Sequence, residues 1–149
     1  MRRVVVLSAL VVLGVVATLG GTVAQGNVAE IEQVKRNLYV ITGGGGNTAA
    51  LVTDDGVVVV DTKNPGWGSA ILDKIRTVTD KPVTMILHTH THFDHTGSTT
   101  EFPETVQVIA HENTAANMAR ASCEAVTNCD AFKGENASYI PKRTFAQRT

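Results

Sequence analysis

Four of the five histidines in this 149-residue chain lie within one short segment, which reads His88-Thr89-His90-Thr91-His92-Phe93-Asp94-His95. Imidazole nitrogens and carboxylate oxygens bind zinc at distances of about 2.0–2.2 Å. Donors of this kind without cysteine suit zinc, manganese or iron rather than a soft thiolate site. The segment follows an apolar run at residues 83–87 and precedes Gly97, which indicates a strand and then a turn. These features predict a metal site, and a site with open coordination positions is more often catalytic than structural.

The spacing of the donors indicates which of them converge. His90 and His92 are two residues apart, so at the end of a strand their side chains point to the same side. Beyond the strand the chain must turn, and Asp94 and His95 then point back into the same space. His88 lies one alternation deeper, about 6–7 Å along the strand, and is interpreted as a supporting residue. The predicted metal ligands are therefore His90, His92, Asp94 and His95.

Other functions fit the sequence less well. A histidine-rich surface loop that binds metal weakly is disfavoured by the apolar run directly upstream. A serine-based triad is disfavoured because Ser69 and Ser98 lack a Gly-x-Ser-x-Gly elbow. The four glycines at 43–46 have no phosphate-loop context and are interpreted as a loop, mobile or tight, beside the site. With 13 basic and 14 acidic residues the net charge is −1, which argues against nucleic acid as the main partner.

The elements that must position these residues alternate between strands and helices. β-branched and apolar runs predict strands, and apolar residues at helical spacing predict an amphipathic helix after Asp61. The strands are predicted at 37–42, 47–53, 57–60, 83–87 and 106–110, and the helices at 67–78, 99–102 and 113–121. This order predicts an α/β fold in which helices cover a sheet on at least one side. The stretch 122–149 has weak periodicity and no strong strand.

The segment from Thr89 to Gly97 matches the pattern T-H-x-H-x-D-H-x-G, and in this it resembles the metallo-β-lactamase superfamily. The residues around it are also similar to that family over about 37–118, including an aspartate, Asp61, that closes the strand before the first helix. Ser98 stands where many members have a second glycine. The resemblance implies the N-terminal half of an αββα sandwich, with a mixed sheet covered by helices.

The resemblance also implies a role for each residue of the motif. His90 and His92 would belong to a first metal site, and Asp94 and His95 to a second. The implied cofactor is Zn²⁺, two ions in the complete enzyme, with manganese or iron as alternatives. A hydroxide held between the metals would attack an ester, amide, lactam or related bond of a small-molecule substrate. Asp94 would be the catalytic residue that orients this nucleophile.

Family members place another histidine, a bridging aspartate and a final histidine well after the motif. Here the one histidine after His95 is His111, which we interpret as a structural or supporting group at the end of a strand. The expectation is therefore a metallo-β-lactamase-like domain over 25–149 that is truncated at its C-terminus. A non-catalytic metal-binding module and an inactive fragment are the alternatives. The oligomeric state is not predicted.

The N-terminus has the layout of a secretory signal peptide. Arg2 and Arg3 precede an apolar run at 4–16, and the small residues Thr22-Val23-Ala24 follow. Residues 1–24 are therefore predicted to be removed, which places the mature protein outside the cell or in the periplasm without stable membrane association. An uncleaved membrane anchor is the alternative. Cys123 and Cys129 are six residues apart, and one disulfide or two thiols remain equally open.

Export can be tested by the mass of the protein recovered from its host. We expect a mature chain that begins near Gln25, because the small-residue ending is the part that a signal peptidase recognises. An intact chain beginning at Met1 in the soluble cytoplasmic fraction would contradict export.

Overall fold

The computed structural model describes residues 27–147, so the predicted signal peptide at 1–24 lies outside the described residues. Seven strands are present: β1 (Glu30–Lys35), β2 (Leu38–Thr42), β3 (Thr48–Thr53), β4 (Gly56–Val60), β5 (Val83–His88), β6 (Gln107–His111) and β7 (Arg143–Phe145). Within residues 27–147 three α-helices accompany them: α1 (Gly68–Arg76), α2 (Phe93–Thr96) and α3 (Glu112–Met118). Short 3₁₀ helices cover Thr99–Glu101, Cys129–Phe132 and Gly134–Tyr139.

The strands form one mixed sheet in which chain order and spatial order are the same. β1 to β4 pair antiparallel through tight connections, whereas β4, β5, β6 and β7 pair parallel. Parallel neighbours need a crossover, and α1 lies in the connection from β4 to β5. The carboxyl ends of these parallel strands therefore meet at one edge of the sheet. The predicted α/β class, a mixed sheet with helices, is confirmed.

The apolar core lies between one face of the sheet and the helices. Alternate strand residues such as Ile41, Val59 and Ile86 are fully buried there. They pack in one cluster with Ile71 and Ile75 of α1. Further members of this cluster are Ala50, Val57, Val108, Met118, Phe102, Phe132 and Tyr139.

The opposite face of the sheet, which we call the open face, is apolar but only partly buried. Strand register aligns Val40, Ala49, Val60 and Leu87 across four strands, and all four are half-buried. A second row runs through Leu38, Leu51, Val58 and Met85. The core of the described residues is therefore one-sided.

The sequence-based elements differ from the structure mainly at the sheet edges. Residues 57–60 are the fourth strand rather than the third, because β1 precedes them. β7 falls in the stretch 122–149, for which no strong strand was expected. Nearly all residues of β1 and all residues of β7 are exposed, so neither strand carries the hydrophobic alternation of a buried strand. Both are defined by pairing with a neighbour rather than by their own composition.

Two further features concern residues outside the core. None of the helices among residues 27–147 has the length and apolar character needed to span a membrane. The structure joins Cys123 to Cys129 in a disulfide with their Cα atoms 5.4 Å apart, which selects one of the two alternatives that the sequence left open.

Neighbouring residues of β5 test the one-sided core. Ile86→Ala should lower the free energy of unfolding by about 2–5 kcal/mol, because Ile86 is fully buried and its removal leaves a cavity. Leu87→Ala, on the open face, should have a clearly smaller effect. Urea unfolding of both variants measures the difference. Equal losses would mean that the open face is covered in solution.

Candidate metal centre

His90 and His92 lie in the loop between β5 and α2 rather than on a strand. β5 ends at His88, and His92 is the residue that precedes α2, with φ −63° and ψ 145°. The rings of His90 and His92 do lie close together, but the expected reason, the alternation of side chains along a strand, is wrong. The loop is instead held from outside, since the Phe93 amide donates to the Val126 carbonyl at 3.0 Å and His92 forms an isolated bridge with Thr127.

The loop nevertheless brings the four predicted ligands together. The ring centroid of His90 lies 4.6 Å from that of His92 and 4.2 Å from that of His95. The Asp94 carboxylate lies 3.5 Å from Nε2 of His95. His92 is exposed and the other three are partly buried, so the cluster is open to solvent on the His92 side.

A buried carboxylate, Asp61, connects this cluster to the sheet. Asp61 follows β4 directly and is 3% exposed. Its Oδ2 lies 2.7 Å from Nδ1 of His95 and also accepts from the Thr89 hydroxyl at 2.7 Å. Its Oδ1 accepts from the Thr89 amide at 2.9 Å. Asp61 was absent from the predicted ligand set, although an acidic residue at the carboxyl end of a buried parallel strand is a signal for a functional group.

These contacts keep Asp61 ionised. Burial alone would raise the pKa of this carboxyl, but favourable interactions with His88, Thr89 and His95 outweigh burial and hold its pKa below the ordinary 3.8. Because the folded pKa is lowered, the contribution of Asp61 to stability is present above that value and is lost as the pH falls through the folded pKa.

The hydrogen bonds of Asp61 also select the tautomers of two histidines. The Thr89 hydroxyl donates to Asp61, so Nδ1 of His90, 2.9 Å from that hydroxyl, must be the donor to it. Nδ1 of His95 donates to Asp61 in the same way. When the rings are neutral, Nε2 of each therefore keeps its lone pair, which is the form that binds a metal.

The electrostatics around His90 favour the neutral form of that ring. Burial lowers the pKa of His90, and the neighbouring His95 and His92 lower it further, while Asp61 and Asp94 act in the opposite direction. A neutral imidazole is the metal ligand.

The donor set fits a divalent cation such as zinc. His90, His92 and His95 offer nitrogens and Asp94 offers a carboxylate, which suits zinc or a similar first-row ion. Donor atoms of Asp61, His90 and His95 all lie within 4.8 Å of one another. Both oxygens of Asp61 already accept hydrogen bonds, so we assign it to orienting the rings, as carboxylates behind metal-binding histidines do. The ligand assignment itself stays a prediction.

The two remaining histidines lie apart from the donors. His88 is 1% exposed, contacts the Thr99 hydroxyl through Nε2 at 2.9 Å, and places Nδ1 3.6 Å from Asp61. It supports Asp61 from behind, as expected for a supporting residue. His111 precedes α3, where Nδ1 accepts from the Asn113 amide at 3.1 Å and Nε2 contacts the Ala146 carbonyl at 3.2 Å. Both nitrogens of His111 therefore have structural partners.

The glycine run at 43–46 forms a wall of the site made of backbone alone. The Gly46 amide donates to the Asp94 carbonyl at 3.0 Å. A Cβ atom at Gly46 would lie 2.6–2.9 Å from three atoms of the His95 ring, closer than real contacts allow. A side chain at position 46 would displace His95. The loop can therefore approach the site this closely because residue 46 is glycine.

Ser98 explains how α2 is fastened to the segment after β4. Its hydroxyl accepts from the Trp67 amide at 2.7 Å and donates to the Asn64 carbonyl at 2.6 Å. A glycine here, which the family pattern favours, would leave both backbone groups without these partners.

Fold and site together define an α/β protein with a histidine–carboxylate cluster at the carboxyl edge of its parallel strands. Residues 41–126 match the profile of the Metallo-beta-lactamase superfamily. Because this match covers more than half of the chain, the protein belongs to the metallo-β-lactamase superfamily, whose members are mostly metal-dependent hydrolases.

A curated protein is similar to part of this chain. The 2,4-dinitroanisole O-demethylase subunit alpha of Nocardioides sp. (strain JS1661) is 38% identical over 96 residues, which are 62% of this chain and 29% of that subunit. The chain therefore spans less than a third of the length of that relative.

Solved structures share the fold. A metallo-beta-lactamase from Pontibacter korlensis aligns with a TM-score of 0.61 and 22% identity over 82% of this chain and 54% of its own. A subclass B3 metallo-beta-lactamase of Bradyrhizobium japonicum aligns with a TM-score of 0.60 and 23% identity over 83% of this chain and 46% of its own.

Replacing the orienting carboxylate tests the site directly. Asp61→Asn should weaken zinc binding on the order of 10–100-fold, because an amide cannot accept from Thr89 and His95 as a carboxylate does. Competition with a chromophoric chelator measures the affinity. Asp73→Asn, at an exposed carboxylate in α1 paired with Arg76, is the matched control. Equal zinc affinity in both variants would contradict an orienting role for Asp61.

Proposed function

We propose that this protein is a metal-dependent hydrolase and that His90, His92, Asp94 and His95 hold its metal. The observation that carries this proposal is the hydrogen-bond network of Asp61, which leaves Nε2 of both His90 and His95 free to bind. A surface loop rich in histidine has no reason to fix its rings in this way. Family membership supports the same reaction class.

The residues of the site have separable tasks in this reaction. A bound divalent cation supplies Lewis acidity and a nucleophile from water at neutral pH. We assign to Asp94, which is partly exposed and lies beside His95, the task of accepting a hydrogen bond from an attacking water and so orienting it. Asp61 and Thr89 keep the rings in place, and the open side at His92 admits a small molecule.

The substrate class follows from the family and from one relative. Ester, amide, lactam and related bonds are the substrate bonds that the family resemblance implies. The relative named as a 2,4-dinitroanisole O-demethylase adds an activated aryl methyl ether, whose hydrolysis would release a phenol and methanol. We propose an exported enzyme, secreted or periplasmic, that acts on such a small molecule with zinc, or with manganese or iron.

A second candidate is a metal-binding module without turnover. The observation in its favour is that the one histidine after His95, His111, is engaged by the Asn113 amide and the Ala146 carbonyl. A chain that holds metal through the four motif donors alone would bind it less tightly than a complete two-metal site.

Turnover and metal binding separate the two candidates. The zinc-loaded protein is assayed against nitrocefin, a lactone, an aryl ester and 2,4-dinitroanisole. Zinc-dependent hydrolysis of at least one of them, lost on chelation and restored by zinc, is expected for the hydrolase. Zinc binding without hydrolysis of any substrate would favour the module.

The assay has a matched histidine control. His90→Ala and His92→Ala should lose both zinc and turnover, whereas His111→Gln should retain both because His111 lies outside the cluster. Loss of zinc in the His111 variant to the same degree as in the His90 variant would contradict the assigned ligand set.

A further inference from the structure

Lys63 is a buried lysine close to the site that neither the motif nor the proposed reaction uses. It lies two residues after Asp61, and both residues have a φ of 61°, in the left-handed region that residues other than glycine rarely adopt. Its side chain is fully buried. Local strain and a buried charge both oppose stability, and such features concentrate at functional sites.

The ammonium of Lys63 has one hydrogen-bond partner among the described residues. Nζ donates to the Gly46 carbonyl at 2.8 Å. The backbone carbonyl of Lys63 accepts from the Gly97 amide at 2.9 Å, so the residue is also tied to the end of α2. Lys63 thus bridges the glycine loop and the helix that carries Asp94 and His95.

Gly46 transmits this contact to two of the predicted ligands. Its amide donates to the Asp94 carbonyl at 3.0 Å. On its other side the His95 ring lies so close that a Cβ atom could not be accommodated. The carbonyl that Lys63 holds and the amide that contacts Asp94 lie on either side of the Gly46 Cα atom, so residue 46 links Lys63 to the backbone of Asp94 and packs against the His95 ring.

Packing alone does not account for a lysine here. A buried ammonium with one carbonyl partner is unfavourable, and burial lowers the pKa of Lys63 from 10.5 to about 8. Methionine has a similar length and would fill the same space without the charge. A lysine at this position is therefore less favourable for stability than methionine. A role of its hydrogen bond in the site would explain why a lysine is present.

We propose that Lys63 is a positioning residue: its ammonium fixes the Gly46 carbonyl, and residue 46 in turn holds Asp94 through its amide and His95 by packing, in the orientation that binds metal. The proposal rests on the metal binding of the proposed function. It assigns no contact between Lys63 and the metal or the substrate.

The proposal predicts opposite effects on stability and on metal affinity. Lys63→Met should leave the thermal midpoint of the metal-free protein unchanged or higher. The same variant should bind zinc at least tenfold more weakly than the wild type. Lys63→Arg, which keeps a cationic donor, should recover part of the affinity. The matched control is Lys81→Met, because Lys81 also donates to a backbone carbonyl, that of Thr53 at 2.8 Å, but at an exposed position.

Three measurements decide the proposal. Thermal unfolding of the metal-free variants reports stability, chelator competition reports zinc affinity, and amide hydrogen exchange reports the protection of Gly46. Expected results are weaker zinc binding and faster Gly46 exchange in Lys63→Met, with Lys81→Met like the wild type. Unchanged affinity in Lys63→Met, or an affinity loss that only parallels a lower thermal midpoint or a failure to fold, would overturn it.

The wild-type measurement distinguishes this proposal from the proposed function. If the wild type binds no zinc, the proposed function fails and the positioning of a metal site falls with it. The exchange of Gly46 then still shows whether Lys63 holds the loop. If the wild type binds zinc and Lys63→Met binds it equally well, only the role of Lys63 is refuted.

Discussion

The arrangement of the site depends on one buried carboxylate. Asp61 needs hydrogen-bond donors because an unpaired charge in the interior is strongly unfavourable. It obtains them from Thr89 in the loop after β5 and from His95 in α2. Two separate segments are thereby drawn to the carboxyl end of β4. The same bonds that satisfy Asp61 also decide which nitrogen of each ring faces outward.

This constraint explains why the backbone around Asp61 is unusual. The segment 61–63 contains two residues with positive φ and is hydrogen-bonded to α2 and to Gly97, which follows it. The Thr62 amide donates to the His95 carbonyl at 2.6 Å, and the Gly97 amide donates to the Lys63 carbonyl at 2.9 Å. Strain of this kind persists only where the surroundings over-determine it. The part of the site that is held by most hydrogen bonds is therefore the contact between the segment after β4 and α2. The loop that carries His92 is more exposed.

The central features of the fold could be predicted from the sequence, while its edges and one residue of the site could not. Apolar runs identified β4 and β5, and the motif identified the four residues that the structure brings together. β7 escaped because an exposed edge strand of three residues has no periodicity of its own. Asp61 was not included in the predicted site because its role depends on hydrogen-bond donors about 30 positions away in the sequence, and no local pattern indicates such partners. The convergence of His90 and His92 was expected for the wrong reason, since a loop anchored at Val126 brings them together rather than a strand face.

The segments that build the site form one nearly continuous stretch of chain. The glycine loop, β4, β5 and α2 all lie between residues 43 and 97, inside the region 41–126 that matches the family. The contacts that orient His90 and His95 lie within this stretch, and the loop that carries His92 is held in addition by Val126 and Thr127. The relatives extend well beyond the part that this chain covers. The proposed cation binding and the proposed turnover therefore make separate demands on the chain: the first on the geometry of residues 43–97, and the second on what faces the open side at His92.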